Sequence, residues 1–388
     1  MHSNKQFPIY FDYNATTPCD PVVVEAMLPF FTEQFGNAAS KTHAYGWTAE
    51  EAVELARKQV ASIIGAHEQE IIFTSGATES VNLAIRGLLE GIDTAKHVIT
   101  VSTEHKAVLD ACRYMESKSV ALTVLPVDKD GRLDMTLLEQ SITSDTKLIA
   151  VMFANNETGV ILPVKEIGKI ARQHGIPFFC DATQAVGKIE VDVKAQHIDF
   201  MAFSSHKFYG PKGVGALYIR RGSPTLKLMP LQFGGGHERK LRSGTLNVPG
   251  IVGMGKAAEL CRTRMISDVV LLKELKTHFI DGISQIKGLR LNAPVNNALV
   301  QVVNVCFGFP GGDRIMGMIS KHVAVSSGAA CSSAMVEPSH VLKAMGVSDQ
   351  DALASIRFSF GRYSTMQEVE FVLDVIRKAV SSIQSTQQ

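Results

Sequence analysis

Phe200-Met201-Ala202-Phe203-Ser204-Ser205-His206-Lys207-Phe208-Tyr209-Gly210-Pro211-Lys212-Gly213 joins a short apolar run to a Gly/Pro turn, with two serines, a histidine and a lysine at the junction. An apolar run of this length without alternation predicts a strand buried on both faces. The turn after it sets Lys207 at the strand's end, beside hydroxyls. A lysine in that setting is readily desolvated and loses its proton, as Schiff-base formation with an aldehyde requires. A lone lysine is ordinarily a solvated surface group, so the weight falls on its surroundings.

Outward from this run, short β-branched stretches alternate with amphipathic stretches of helical length. Strands are predicted over 71–74, 97–101, 122–127, 147–153, 177–181, 200–204 and 214–219, and helices over 79–89, 106–118 and 164–174. Gly175 and Pro177 end the last helix. The rhythm is βαβ, so the class is α/β with a mostly parallel sheet covered on both sides. After Gly250 the pattern changes to a long helix over 252–286, strands over 300–307 and 356–360, helices over 314–320 and 367–383, and a Gly/Ser-rich loop around Cys331. We expect a large domain over 15–255 and a smaller α+β domain made of 1–14 and 256–388, with the segment up to about Gly36 lying on the smaller domain or beside the active site.

The chain has 388 residues, 45% of them hydrophobic, enough for a large core and for two domains. With 39 basic and 38 acidic side chains there is no field to draw it to nucleic acid or an anionic membrane, and a small-molecule substrate is the better expectation. The opening segment lacks an apolar run, and no stretch reaches the about 18 apolar residues of a membrane span, so a cytoplasmic protein is expected. Six cysteines stand singly, which disfavours a disulfide framework or structural zinc. Five of them read as small buried hydrophobes.

Other groups extend the pattern around Lys207. Asp181 ends a predicted strand at its carboxyl edge, where sheets of this kind place ligands. There it suits a protonated ring nitrogen or, equally, a helix cap. Thr74-Ser-Gly-Ala-Thr-Glu-Ser80 follows a strand and opens a helix, a ready phosphate site, although Thr78 and Glu79 also suit an ordinary helix start. It matches neither a P-loop nor G-x-G-x-x-G, which argues against a nucleotide. Cys331 sits among small residues that pack poorly as core, as suits a nucleophile on a mobile loop.

In order and spacing, the stretch 74–80, Thr103-Glu104-His105, Asn155-Asn156-Glu157, Asp181-Ala-Thr-Gln184, Ser204-Ser-His-Lys207, Arg242-Ser-Gly-Thr245 and Ser326-Ser-Gly-Ala-Ala-Cys331 resemble the cysteine desulfurases of the NifS and IscS type. Those are pyridoxal-phosphate enzymes of fold type I, with a mostly parallel seven-stranded sheet in the large domain. The resemblance implies that Lys207 carries pyridoxal 5'-phosphate and moves the Cα proton of L-cysteine, that His105 stacks on the ring and assists protonation, and that Asp181 partners the ring nitrogen. His105 also reads as a cap of the helix after it. By the same resemblance Gln184 lies beside the phenolic oxygen, and Ala77, Thr78, Ser204 and His206 contact the phosphate. Thr245 would reach the phosphate of a neighbouring subunit, implying a homodimer, while Asn156 and Arg357 would hold the substrate carboxylate. Cys331 would take the sulfur as a persulfide, leave alanine, and pass the sulfur to an acceptor protein serving iron-sulfur clusters, thiolated tRNA or DNA phosphorothioation.

Some positions depart from the family. Ala38 replaces a common proline, Val81 stands where an acid is common, and the chain ends at Gln388 without the longer tail that docks an iron-sulfur scaffold protein in the housekeeping members. The basic run His237–Arg242 is expected at the dimer interface near the cofactor. The competing readings are a selenocysteine lyase or aminotransferase on the same scaffold and, less favoured, a subunit that binds a sulfur carrier without catalysis.

Overall fold

The computed structural model describes residues 7–92, 94–222, 226–327 and 337–385. Its larger sheet comprises β1 (Ile71–Thr74), β2 (His97–Val101), β3 (Ala121–Leu125), β4 (Thr146–Ala150), β5 (Phe178–Asp181), β6 (Phe200–Ser204) and β7 (Gly215–Ile219), in the order β1-β7-β6-β5-β4-β2-β3. Only β7 runs against the others, pairing antiparallel with β1 and β6. The carboxyl ends of β1, β4, β5 and β6 therefore open on one edge, with the start of β7 among them.

Side-chain alternation along these strands builds two cores, one per face. Ile71, Phe73, Ile99, Ile149, Phe178, Met201 and Phe203 face α1 (Ala44–Ser62), part of α4 (Val164–Gln173) and the first half of α5 (Val248–Ser284). Ile72, Val98, Leu148, Phe179, Phe200 and Leu217 face α2 (Ala77–Glu90) and α3 (Lys106–Glu116). Because both faces are covered, the strands carry apolar residues at nearly every position, the run visible in the sequence.

A second, antiparallel sheet has the order β10-β11-β9-β8, from β8 (Leu289–Leu291), β9 (Val302–Phe307), β10 (Ser326–Ser327) and β11 (Ser355–Ser359). Val303, Val305, Ile356 and Phe358 pack against the second half of α5 (Leu272, Leu275, Phe279) and against Val369, Val372 and Ile376 of α7 (Met366–Ser385). Between β10 and β11 lies the short α6 (His340–Ala344). Residue 255 falls within α5, whose 37 residues run unbroken through both regions over about 55 Å.

The predicted strands and helices occur with shifted ends. The strand expected over 147–153 is assigned only to Ala150, although Val151 N and Phe153 N still donate to Phe179 O and Asp181 O; of these three residues Met152 alone lines the site. α1 was not anticipated, nor was β8. The N-terminal segment does both things expected of it: Ile9–Tyr10 pairs with Val323–Ala324 and Phe11 enters the smaller core, while Asn14 and Ala15 reach the site. Of the cysteines read as core, Cys112, Cys180, Cys261 and Cys306 are buried, but Cys19 is only partly so, near the chain's surface before Asp20.

Candidate active site

A pocket of about 570 Å³ opens at the carboxyl edge of the large sheet. Its wall gathers Ala77, Thr78, His105, Asn156, Asp181, Gln184, Ser204, His206, Lys207 and Arg357, drawn from residues far apart in the chain. Thr245 is exposed and does not line it, and Cys331 lies outside the described residues.

β6 carries Lys207 one 3-10 turn beyond its end, on Ser205–Lys207. Its Nζ donates to the carbonyls of Asn14 and Ala15, each at 2.7 Å. Burial, reinforced by Arg357, pulls its pKa down to about 8 against the opposing pull of Asp12 and Asp181. About a tenth of the amine is then neutral at pH 7, far more than for an ordinary lysine. His206 is brought down to about 4 by burial and by Lys207 and Lys212, so its ring is neutral; its Nδ1 lies 3.1 Å from Thr16 Oγ1.

β5 delivers Asp181, whose Oδ1 accepts the N–H of Thr183 at 3.0 Å, so the carboxylate starts the turn leading to Gln184. His105 caps α3, its Nδ1 accepting from Ala107 N at 3.1 Å, and it also lines the pocket. That bond leaves the proton of the neutral ring on Nε2. Although the ring is exposed on the pocket's open side, desolvation by the surrounding wall lowers its pKa; Lys207 and His340 add to this and Asp181 opposes.

The loop before α2 is built to present backbone N–H groups. Thr74 Oγ1 donates to Gly76 O at 3.0 Å and lies 2.8 Å from Ser80 Oγ, while Ser75 N donates to Glu79 Oε2 at 2.6 Å. Those bonds hold the first turn of α2, whose leading N–H groups have no intrahelical acceptor. Gly215 lets β7 pass close behind, since a Cβ there would stand 2.6 Å from Gly76 Cα. Arg242 donates to Glu79 Oε1 at 2.9 Å, tying the basic run to this loop, and these bonds hold the Glu79 carboxyl below its ordinary pKa despite its burial.

On the opposite wall, β11 supplies Arg357. Its Nη1 donates to Asn156 O at 3.0 Å and its Nη2 to Asp12 Oδ1 at 2.7 Å, leaving Nε buried without a partner. Asp12 Oδ2 also accepts from Ser326 Oγ at 2.9 Å. The described chain on each side of 328–336 is thus fastened to the pocket: Ser326 through Asp12, and beyond it Ser339 by donation to Glu157 Oε2 and His340 by its Nε2, 2.9 Å from Glu104 O.

Several site residues were not anticipated. Asn14 is a hub: its carbonyl accepts from both Lys207 and Gln184, its Nδ2 donates to Asn156 O, and its N–H donates to Ser359 Oγ. Glu104 is fully buried, accepts from Met152 N, and is pushed well above the usual carboxyl range by burial and by the charge of Asp181. Asp12 and Asn14 had a signal in the polar residues that follow the apolar Ile9-Tyr10-Phe11. No cluster suited to a metal ion occurs among the described residues.

The aminotransferase class-V family model matches residues 9–372. A relative named cysteine desulfurase IscS, from Anaeromyxobacter dehalogenans, is 51% identical over 380 residues, covering 97% of this chain and 94% of the relative. The solved structure of a NIFS-like protein superposes with a TM-score of 0.90 at 36% identity, covering 97% of this chain and all of that one. A structure described as SspA in complex with cysteine gives 0.82 at 37% identity, over 92% of this chain and all of that one. With the lysine, the buried aspartate and the N–H-rich loop converging on one pocket, and with likeness along nearly the whole chain, this protein belongs to the class-V aminotransferases and, within them, to the cysteine desulfurases.

Proposed function

We propose that this protein removes sulfur from L-cysteine with pyridoxal 5'-phosphate, Lys207 carrying the cofactor and Cys331 receiving the sulfur. The observation that carries this reading is Lys207 itself: a buried amine brought down to about 8, held by two carbonyls in the pocket that also contains Asp181 and His105. The lining fits the cofactor's chemistry. The open N–H groups of Ala77 and Thr78, with Ser204 and His206, suit a phosphate; Asp181 suits a ring nitrogen; Thr183 Oγ1 and Arg357 Nε are buried polar atoms still lacking a partner. When bound, the cofactor supplies an electron sink for the bonds at the substrate's Cα.

The chain's own residues do the rest. Lys207 Nζ, near the pKa for reversible transfer at neutral pH, takes and returns the Cα proton. Arg357 and Asn156 hold the substrate carboxylate; both arms of the guanidinium are anchored, Nη1 on Asn156 O and Nη2 on Asp12, which fixes the fork in place. The Cys331 thiolate attacks the substrate's Sγ: an S–S bond forms, the Cβ–Sγ bond breaks, and its electron pair stays on the carbon skeleton, which takes up a proton and leaves as alanine. The persulfide then passes to an acceptor protein.

The same reading makes the protein a cytoplasmic homodimer; no helix of the described residues is long and apolar enough to cross a membrane. Val22, Val24, Leu28, Phe31, Phe35, Tyr45 and Trp47 form a run of exposed apolar side chains suited to a second copy, and Thr245 is exposed where a partner's pocket would use it. We further read residues 15–255 as the larger domain, with the rest as the smaller.

Incubation with L-cysteine should yield alanine and sulfide in the presence of a reductant, with a Cys331-linked persulfide visible by mass spectrometry. Cys331→Ala should keep the cofactor's visible band and lose turnover by at least about 100-fold. Full desulfurase turnover in Cys331→Ala would refute the assignment.

A further inference from the structure

Lys188 belongs to none of the roles above, yet its head points toward the site. It follows Gln184 by one turn in a segment of turns after β5, is half-buried as a residue, and directs Nζ inward to Gln184 Oε1 at 2.6 Å. On its other side it lines a small cavity of about 20 Å³ with Asn14 and Gln301.

Gln184 is almost fully buried and has a chemically different neighbour at each end of its amide. The Asn14 carbonyl only accepts, so the amide end facing it, at 3.0 Å, is Nε2; the end facing Lys188 is therefore the oxygen, to which the amine donates whether charged or neutral. The orientation is thereby set by the partners' chemistry. One amide N–H is used by Asn14, and the other remains on a side chain that lines the pocket.

We infer that Lys188 is a positioning residue that locks the Gln184 amide, so that the pocket is offered an N–H donor and never the amide oxygen, selecting an anionic oxygen on the ring bound there. This rests on the cofactor reading above. Without Lys188, Gln184 Oε1 would be a buried acceptor with no donor, and one of the two bonds that hold the amide would be gone, freeing it to turn its oxygen toward the pocket. A lone pair would then face the anion. Burial holds the Lys188 amine well below its ordinary pKa, with Lys207 and Arg357 adding to this and Cys261 opposing. The N–H···O bond to Gln184 survives in either protonation state.

The test is a double-mutant cycle read by the pH titration of the cofactor's visible absorption band in holoenzyme, with Lys188→Met, Gln184→Ala, the double variant and Lys188→Arg. A donor to an anionic ring oxygen favours its charged form, and losing it should raise the midpoint by about one pH unit. The expected result is that Lys188→Met and Gln184→Ala each raise the midpoint, that the double variant moves no further than either, and that Lys188→Arg, which keeps a donor, stays near the wild-type value. An unshifted midpoint in a coloured Lys188→Met protein, or additive shifts in the double variant, would overturn the inference alone. If Lys188→Met fails to fold, a shift in Lys188→Arg as large as that of Gln184→Ala overturns it, and a wild-type midpoint supports it. A wild-type protein that takes up no pyridoxal phosphate would sink the cofactor reading and this one together.

Discussion

At the scale of single residues, the site is organised around groups with no reactive chemistry of their own. Asn14 is fixed by its backbone as much as by its side chain, and through it the lysine, the Gln184 amide and the Asn156 loop share one reference point. Lys207 has a testable thermodynamic signature in cofactor-free protein. Its folded pKa of about 8 lies below the 10.5 of an ordinary lysine, so between those values the unfolded chain binds a proton that the folded chain does not. Stability therefore rises with pH across that window. Relative to Lys207→Met, the cofactor-free wild type should gain up to about 3 kcal/mol between pH 8 and 10.5, measured by urea unfolding at several pH values. A flat difference across the window would contradict the burial argument. Lys207 and Asp181 could be placed at the sheet's carboxyl edge from the sequence because each sits at a strand end, although Asp181 read equally as a cap; His105 was placed in the site by the family resemblance, its helix-start position alone giving only a cap. Asn14, Glu104 and Lys188 were not, because their significance lies in who their partners are, and those partners come from distant segments.

At the scale of elements, the strand ends and the start of α2 do the positioning. The sharpest constraint is the crossing of β7 behind the loop before α2, where Gly215 faces Gly76 Cα at 2.6 Å and Phe203 O at 2.8 Å from a would-be Cβ. Both obstacles are backbone, so Gly215→Ala must push the loop aside. We expect a loss of about 1–3 kcal/mol in stability together with weakened uptake of pyridoxal phosphate, measured by thermal melting and by absorbance titration. Normal uptake in the variant would show that the loop's position is not what holds the phosphate. The doubly buried strands were legible because a strand covered on both faces has to be apolar throughout. α1 escaped notice for the opposite reason: its buried face is built from Ala49, Val53, Ala56, Val60 and Ala61, small side chains that let α5 approach closely and leave only a faint stripe in the sequence. β8 is only three residues long and has no buried position to mark it.

At the scale of the whole molecule, α5 joins the two regions, with Ile251, Met254 and Ala258 in one core and Leu272, Leu275 and Phe279 in the other. Phe279 is fully buried against Phe358 and Phe360, so Phe279→Ala should cost about 3–5 kcal/mol. The single tryptophan, Trp47, is exposed on α1, the helix that packs against the other half of α5, and reports the distant region. Its fluorescence transition should fall in step with the far-UV transition in Phe279→Ala; a tryptophan midpoint that stayed in place would mean that the regions unfold separately. The pocket straddles the same junction, Lys207 following a strand of the large sheet and Arg357 standing on a strand of the small one. Whatever spans those two side chains is a rivet through the whole chain: its occupancy shifts the melting of every region by mass action, and its departure registers at Trp47 as well as in the pocket.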